Sequence, residues 1–109
     1  MFFWNSVVAT RCEFARSTHG AVVVGSLTSA TFNNCVFHYN SNDGISVYQS
    51  TIHLHGEATA IHSNGRHGIV AFLSSKVIIH LPSNHNTSYN NENEDRLTQH
   101  GGSITNVED

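Results

Sequence analysis

The sequence predicts an all-β fold, a right-handed parallel β-helix solenoid of about three regular 24-residue coils plus one irregular coil, and three observations carry that expectation. Only 12% of the 109 residues are Asp, Glu, Lys or Arg, against roughly 25% in an ordinary soluble domain. Asn, Ser, Thr, His and Gly abound instead, and proline occurs once, at Pro82. No stretch has the Glu/Lys-rich outer face of an amphipathic helix. A Gly-led apolar strand also returns at a fixed interval: His19-Gly20-Ala21-Val22-Val23-Val24, Asp43-Gly44-Ile45-Ser46-Val47-Tyr48 and His67-Gly68-Ile69-Val70-Ala71-Phe72, with the glycines 24 residues apart both times. A fixed period of that size signals a solenoid or a propeller.

Each repeat opens on a strand, Cys12-Glu13-Phe14, Cys35-Val36-Phe37 or Thr59-Ala60-Ile61. A polar turn follows, with Asn40 and Asn64 each standing three residues before Asp43 and His67. The Gly-led strand comes next, and a third run closes the repeat: Ala30-Thr31-Phe32, Thr51-Ile52-His53-Leu54 and Lys76-Val77-Ile78-Ile79. Three short strands cannot bury an apolar face alone, so coils must stack on one another, at about 4.8 Å per rung. Like side chains then form interior columns: Ala21, Ile45 and Ile69; Phe14, Phe37 and Ile61; Val23, Val47 and Ala71; Cys12 and Cys35. The register of the third run stays open, since Leu54 falls on Ala30 without a gap and on Phe32 with a two-residue shift. A propeller blade needs about 40 to 45 residues. A β-sandwich, with strands every 8 to 12 residues or so, gives no reason for an identical return.

The net charge of −3 and the pI near 6.3, with five scattered basic residues, argue against a nucleic-acid binder and a polybasic membrane binder. No apolar run reaches the roughly 18 residues of a membrane-spanning helix. The opening Met1-Phe2-Phe3-Trp4 lacks the basic n-region of a signal peptide. Cys12 and Cys35 are too few for a disulfide scaffold and, pointing the same way from neighbouring rungs, are expected as two buried thiols. Residues 1–109 are expected to form a single β-helix segment, incomplete relative to a longer solenoid, with open ends through which copies could associate.

The stretch from Asn34-Cys35-Val36-Phe37 through Asn40 to Asp43-Gly44-Ile45-Ser46-Val47 resembles the parallel β-helix repeats of the pectin-lyase-like superfamily, and the resemblance covers about residues 7 to 80. It implies an extracellular or surface-associated setting and a substrate groove on the solvent face of the Gly-led sheet. Members include lyases, hydrolases, adhesins and non-enzymatic binding modules, so fold alone does not give function. Hydrolysis of a glycoside needs two carboxylates, and a calcium-dependent lyase needs oxygen ligands with a base nearby. The outward positions of that sheet are expected to be Val22, Ser46 and Val70, which supply neither. The expected function is therefore a non-catalytic scaffold or recognition surface with a polysaccharide or glycan as ligand. The alternative is a segment of a polysaccharide lyase or glycoside hydrolase whose catalytic residues lie outside this chain.

Two places could hold a ligand. Residues 82–100 break the period and read as a polar loop, in which Tyr89, Glu92, Glu94, Asp95 and Arg96 gather acids, an aromatic ring and a cation. Asp43 lies between His19 and His67 in the stack, although an Asp before a Gly commonly braces a turn. Nine histidines place His38 over His62 and His55 near His80, but a tetrahedral metal site wants three or four ligands. No third is nameable, so no metal or cofactor is assigned. The sequon Asn86-Thr87-Ser88 would matter only in a glycosylating compartment. The fourth coil is expected to continue through Gly101-Gly102-Ser103-Ile104-Thr105-Asn106-Val107.

Overall fold

A computed structural model describes residues 6–25, 29–80 and 87–107. The described residues form strands only: β1 (Ser6–Thr10), β2 (Glu13–Ala15), β3 (Ala21–Val24), β4 (Ser29–Asn33), β5 (Val36–His38), β6 (Ile45–Tyr48), β7 (Thr51–His55), β8 (Ala60–His62), β9 (Ile69–Phe72), β10 (Lys76–His80), β11 (Ser88–Tyr89), β12 (Arg96–Gln99) and β13 (Ser103–Val107). They build three parallel sheets. The first runs β1-β4-β7-β10-β13, the second β2-β5-β8-β11 and the third β3-β6-β9-β12. Each coil contributes one strand to every sheet, so the chain is a parallel β-solenoid of about four coils, with β13 entering a fifth.

The interior columns form as the repeat predicts. Ile45 pairs with Ala21 and Ile69, and Phe37 with Phe14 and Ile61. The Phe14 and Phe37 rings stack with centroids 4.8 Å apart, while Phe32 meets Phe37 edge-on at 5.0 Å. Leu54 pairs with Phe32, so the third run takes the two-residue shift. Period-two alternation turns Ala30, Phe32, Ile52, Leu54, Val77 and Ile79 inward, and all are buried.

The glycine period has a steric cause. A Cβ on Gly44 would stand 2.8 Å from both Gly68 O and Asn64 Nδ2 of the next coil, and one on Gly20 would strike the Gly44 carbonyl. Asp95 takes the same position in β12's coil, because Gly68 donates to the Glu94 carbonyl and Ile69 pairs with Arg96. Since β12 is an edge strand, a side chain fits there.

Every coil turns the corner from its second to its third sheet on a left-handed residue: Arg16 (φ 58°), Tyr39 (54°), Ser63 (56°) and Asn90 (53°). Such a residue costs roughly 1 to 2 kcal/mol when it is not Gly, Asn or Asp. The cost is offset by position, since the N–H of each donates to the carbonyl of the next, at 3.2 Å in all three steps. Beside them runs an amide ladder. Asn64 Oδ1 accepts from Asn40 N at 3.2 Å and Asn40 Nδ2 at 2.9 Å, while Asn64 Nδ2 donates to Phe37 O at 3.1 Å and Asn91 Oδ1 at 2.8 Å. That uses both lone pairs and both protons of the amide. Asn91 Nδ2 reaches Asp95 Oδ1 at 2.9 Å.

Four expectations change. The polar loop is shorter than residues 82–100, because pairing resumes at Ser88 and Tyr89 on β8 and again at Arg96 on β9. Its remainder, with Asn86 of the sequon, lies outside the described residues, as does the Met1-Phe2-Phe3-Trp4 segment. Gly101 to Val107 do not continue the fourth coil; Gly102 precedes β13, which opens a fifth by pairing with β10 in the first sheet. Ser46 and Val70 are buried rather than solvent-facing, each held between register partners, with the Ser46 hydroxyl donating to Asp43 Oδ2 at 3.1 Å. Both cysteines are free thiols, but only Cys35 is buried; Cys12 belongs to the first coil and is exposed. Burial pushes the Cys35 thiol up in pKa.

Candidate functional site

Two constellations stand out, a groove along the corner between the second and third sheets and a histidine cluster on the outer face of the first sheet. The groove follows the left-handed corner column. Arg16, Tyr39, Ser63 and Asn90 line it with Ser41 and Glu92, around a volume of about 870 Å³. Tyr39 is 56% exposed, more than any other Phe or Tyr among the described residues. Its other edge is supported by His38 at 4.7 Å between centroids and by His62 at 6.0 Å. Behind it His38, His62 and Tyr89 stack along the second sheet, with His62 on Tyr89 at 5.0 Å and 5°. His38 Nε2 meets Glu13 at 2.6 Å. Burial, then repulsion from His38, holds the His62 pKa below the usual imidazole value. The groove thus offers one ring face, a cation, a carboxylate and neutral hydrogen-bonding groups.

Of the six candidate residues, only Glu92 lines this groove. Tyr89 is committed to the His62 stack. Asp95 Oδ1 accepts from Asn91 N and Asn91 Nδ2, closing the ladder. Arg96 Nη1 donates to Asn106 Oδ1 at 2.9 Å, and burial lowers its pKa against an opposing pull from Asp95; a guanidinium stays charged regardless. Glu94 receives no metal-like company, its backbone N–H pointing instead to His67 Nδ1 at 3.3 Å. Asp43 is 8% exposed and braces its turn, accepting from His67 N at 3.2 Å and from Ser46, with His19 Nδ1 at 3.5 Å.

The histidine cluster is His53, His55 and His80. Alternate residues of a strand share a face, so His53 and His55 of β7 both point outward. The register sets β10 so that Ile79 lies beside Leu54, which brings His80 beside His55. Their rings stack at 4.0 Å and 11°, and His53 Nδ1 lies 2.8 Å from His80 Nε2. One nitrogen from each ring falls within 4.8 Å of the others, and among the described residues no other three His, Cys, Asp or Glu side chains converge in this way. Burial, then repulsion from His80, lowers the His53 pKa and favours neutral imidazole. The sequence pairs His55 with His80 but not His53, although alternation along the strand already sets His53 on the face of His55. The Tyr39 groove had no signal beyond a left-handed corner that nothing in a Tyr predicts.

Fold and site define a class, a parallel β-solenoid carrying a sparsely charged, histidine-rich polar surface. Comparison with protein-family models, with curated proteins and with solved structures finds no match in any of the three.

Proposed function

We propose that this solenoid is a non-catalytic recognition module whose ligand is a polysaccharide or glycan, bound along the corner groove at Tyr39. The observation that carries the reading is the exposed Tyr39 ring set among Arg16, Ser41, Ser63, Asn90 and Glu92 in one open groove. A sugar presents an apolar ring face with a rim of hydroxyls. A tyrosine gives a rigid apolar face with a polar tip, and a few placed polar groups around it fix orientation. The groove runs along the stacking direction, crossing the corners of all four coils, which suits a linear polymer. The resemblance of the repeat to the pectin-lyase-like superfamily, which carries a right-handed coil with it, adds support for a glycan over other polar ligands. The lyase or hydrolase alternative draws no support from the third sheet, whose register positions Val22, Ser46, Val70 and Leu97 include no acid or base.

A polysaccharide array that includes polygalacturonate, read with and without Ca²⁺, tests this directly. Binding to at least one glycan is expected. Tyr39→Asn should weaken it about tenfold, the scale of one aromatic contact at about 1.4 kcal/mol, while the asparagine accepts the left-handed backbone. An array without binding, or unchanged affinity in the variant, removes the reading. A second reading, self-association through the first coil, is favoured by a hollow of about 490 Å³ lined by Val7, Phe14, Val22, Val23 and Phe32. A clean monomer in light scattering removes that one.

A further inference from the structure

We propose that His53, His55 and His80 form a binding site for a borderline divalent transition-metal ion such as Zn²⁺ on the outer face of the first sheet. The three rings come from adjacent parallel strands, two from β7 at alternate positions and one from β10, so the backbone register itself sets their spacing. Imidazole nitrogens bind zinc at about 2.0 to 2.1 Å, and tetrahedral geometry then separates ligand nitrogens by about 3.3 Å. His53 Nδ1 and His80 Nε2 stand 2.8 Å apart, and one nitrogen from each of the three rings lies within 4.8 Å of the others. Modest side-chain rotations bring them onto the corners of one coordination sphere without moving either strand.

The short His53–His80 contact is informative about protons. Two neutral imidazoles can approach so closely only if one nitrogen donates and the other accepts. When an ion enters, both lone pairs turn to it, and the shared proton moves to the other nitrogen of its own ring. No side chain must gain or lose a net proton, so the ion replaces a hydrogen bond that already draws the ligands together. Burial around His53 holds it neutral, the form a metal requires.

An all-imidazole donor set selects among ions. Mg²⁺ and Ca²⁺ demand oxygen ligands, whereas imidazole suits zinc, copper and nickel. Three neutral ligands leave the full double charge on the ion and at least one coordination position for water or an external anion. On the same face Lys76 stands two positions beyond Ile78, so an aliphatic side chain separates its charge from His80. The His38–His62 column of the second sheet supplies an internal control, since it stacks two imidazoles and then a tyrosine, Tyr89.

Zn²⁺ titrated into the full chain at about pH 7.5, where free imidazole is neutral, should bind at one site. In imidazole nitrogen correlation spectra of the unsubstituted protein, changes on Zn²⁺ addition should fall on His53, His55 and His80 and spare His38 and His62. His53→Gln and His80→Gln should each weaken binding at least about tenfold, because loss of a mere supporting partner already costs about 10- to 100-fold. The double variant His38→Gln/His62→Gln should bind as the parent does. Absence of binding up to about 100 µM Zn²⁺, shifts centred on His38 and His62, or full affinity after loss of His53 and His80 each overturns the proposal. The spectral result does not depend on any variant folding.

Discussion

The first coil and the two coils behind it carry the same repeat and live in different environments. Val8 is 65% exposed and Val22 51%, whereas Ile45, Ile52, Leu54 and Ile61 in the coils behind are fully buried. Nothing in the local strand pattern separates Val22 from Ser46, its register partner, yet Ser46 is covered and Val22 is not. A coil has no core of its own; it is buried by its neighbours, and a strand with a neighbour on only one side keeps half of its surface in water. The same rule explains the cysteines, since Cys12 and Cys35 share a column and differ only in which coil holds them.

The largest expected effect breaks this contrast at its centre. Ile61→Ala removes a fully buried side chain against Phe37 and should cost about 2 to 5 kcal/mol in urea denaturation, while Val22→Ala in the first coil should cost no more than about 1 kcal/mol. Equal losses would mean that the coils share their burial evenly and would sink the comparison. Next comes Asn64→Ala, which strips the acceptor from Asn40 N and Nδ2 and the donor from Phe37 O and Asn91 Oδ1. Asn40 Nδ2 keeps Phe14 O and Asn91 Oδ1 keeps Asn64 N, so the loss falls chiefly on Asn40 N and Phe37 O. Buried groups left unpaired cost about 1 to 3 kcal/mol each, and a loss of about 3 kcal/mol is expected; a loss below about 1 kcal/mol would show that water replaces the ladder at no great cost.

The smallest effect sharpens the comparison through pH. His62 faces His38 from β5, Tyr89 from β11 and Tyr39 from the corner, with Glu13 on the far side of His38. Burial and His38 depress its pKa in the folded state. Below the unfolded value near 6.5 the unfolded chain therefore binds a proton that the fold refuses, and stability present above that pH is lost as pH falls through the folded value. A melting temperature lower at about pH 5.5 than at about pH 7.5 is expected, and the drop should shrink in His62→Gln. An unchanged melting temperature between the two would show that the stacked column tolerates charge.

Much of this architecture was legible in the residues. Gly20, Gly44 and Gly68 betray the coil because a side chain there would collide with the next rung, and the inward columns follow from alternation. The reading failed where that steric rule lapses. Asp95 occupies the glycine position on an edge strand, so the glycine period stops at Gly68 and the strands of the fourth coil read as part of a loop. Tyr89, Glu92, Glu94, Asp95 and Arg96 then look like one cluster, although pairing disperses them. His53 is a different case: alternation sets it on the face of His55, and what the residues alone do not give is the diagonal reach of its ring to His80 on the next strand.

The amide ladder has an electrical side. Asn40 donates to Asn64 and Asn64 to Asn91, each toward the later coil, and Asn91 passes the chain on to Asp95 within its own coil. The side-chain dipoles therefore add head to tail, and hydrogen bonds in such a chain polarise one another. The positive end of that array meets the carboxylate of Asp95, in the manner of an acid at the start of a helix. The solenoid therefore has a polarity along its axis that the strands alone do not give it, and a single negative charge sits where that polarity needs one.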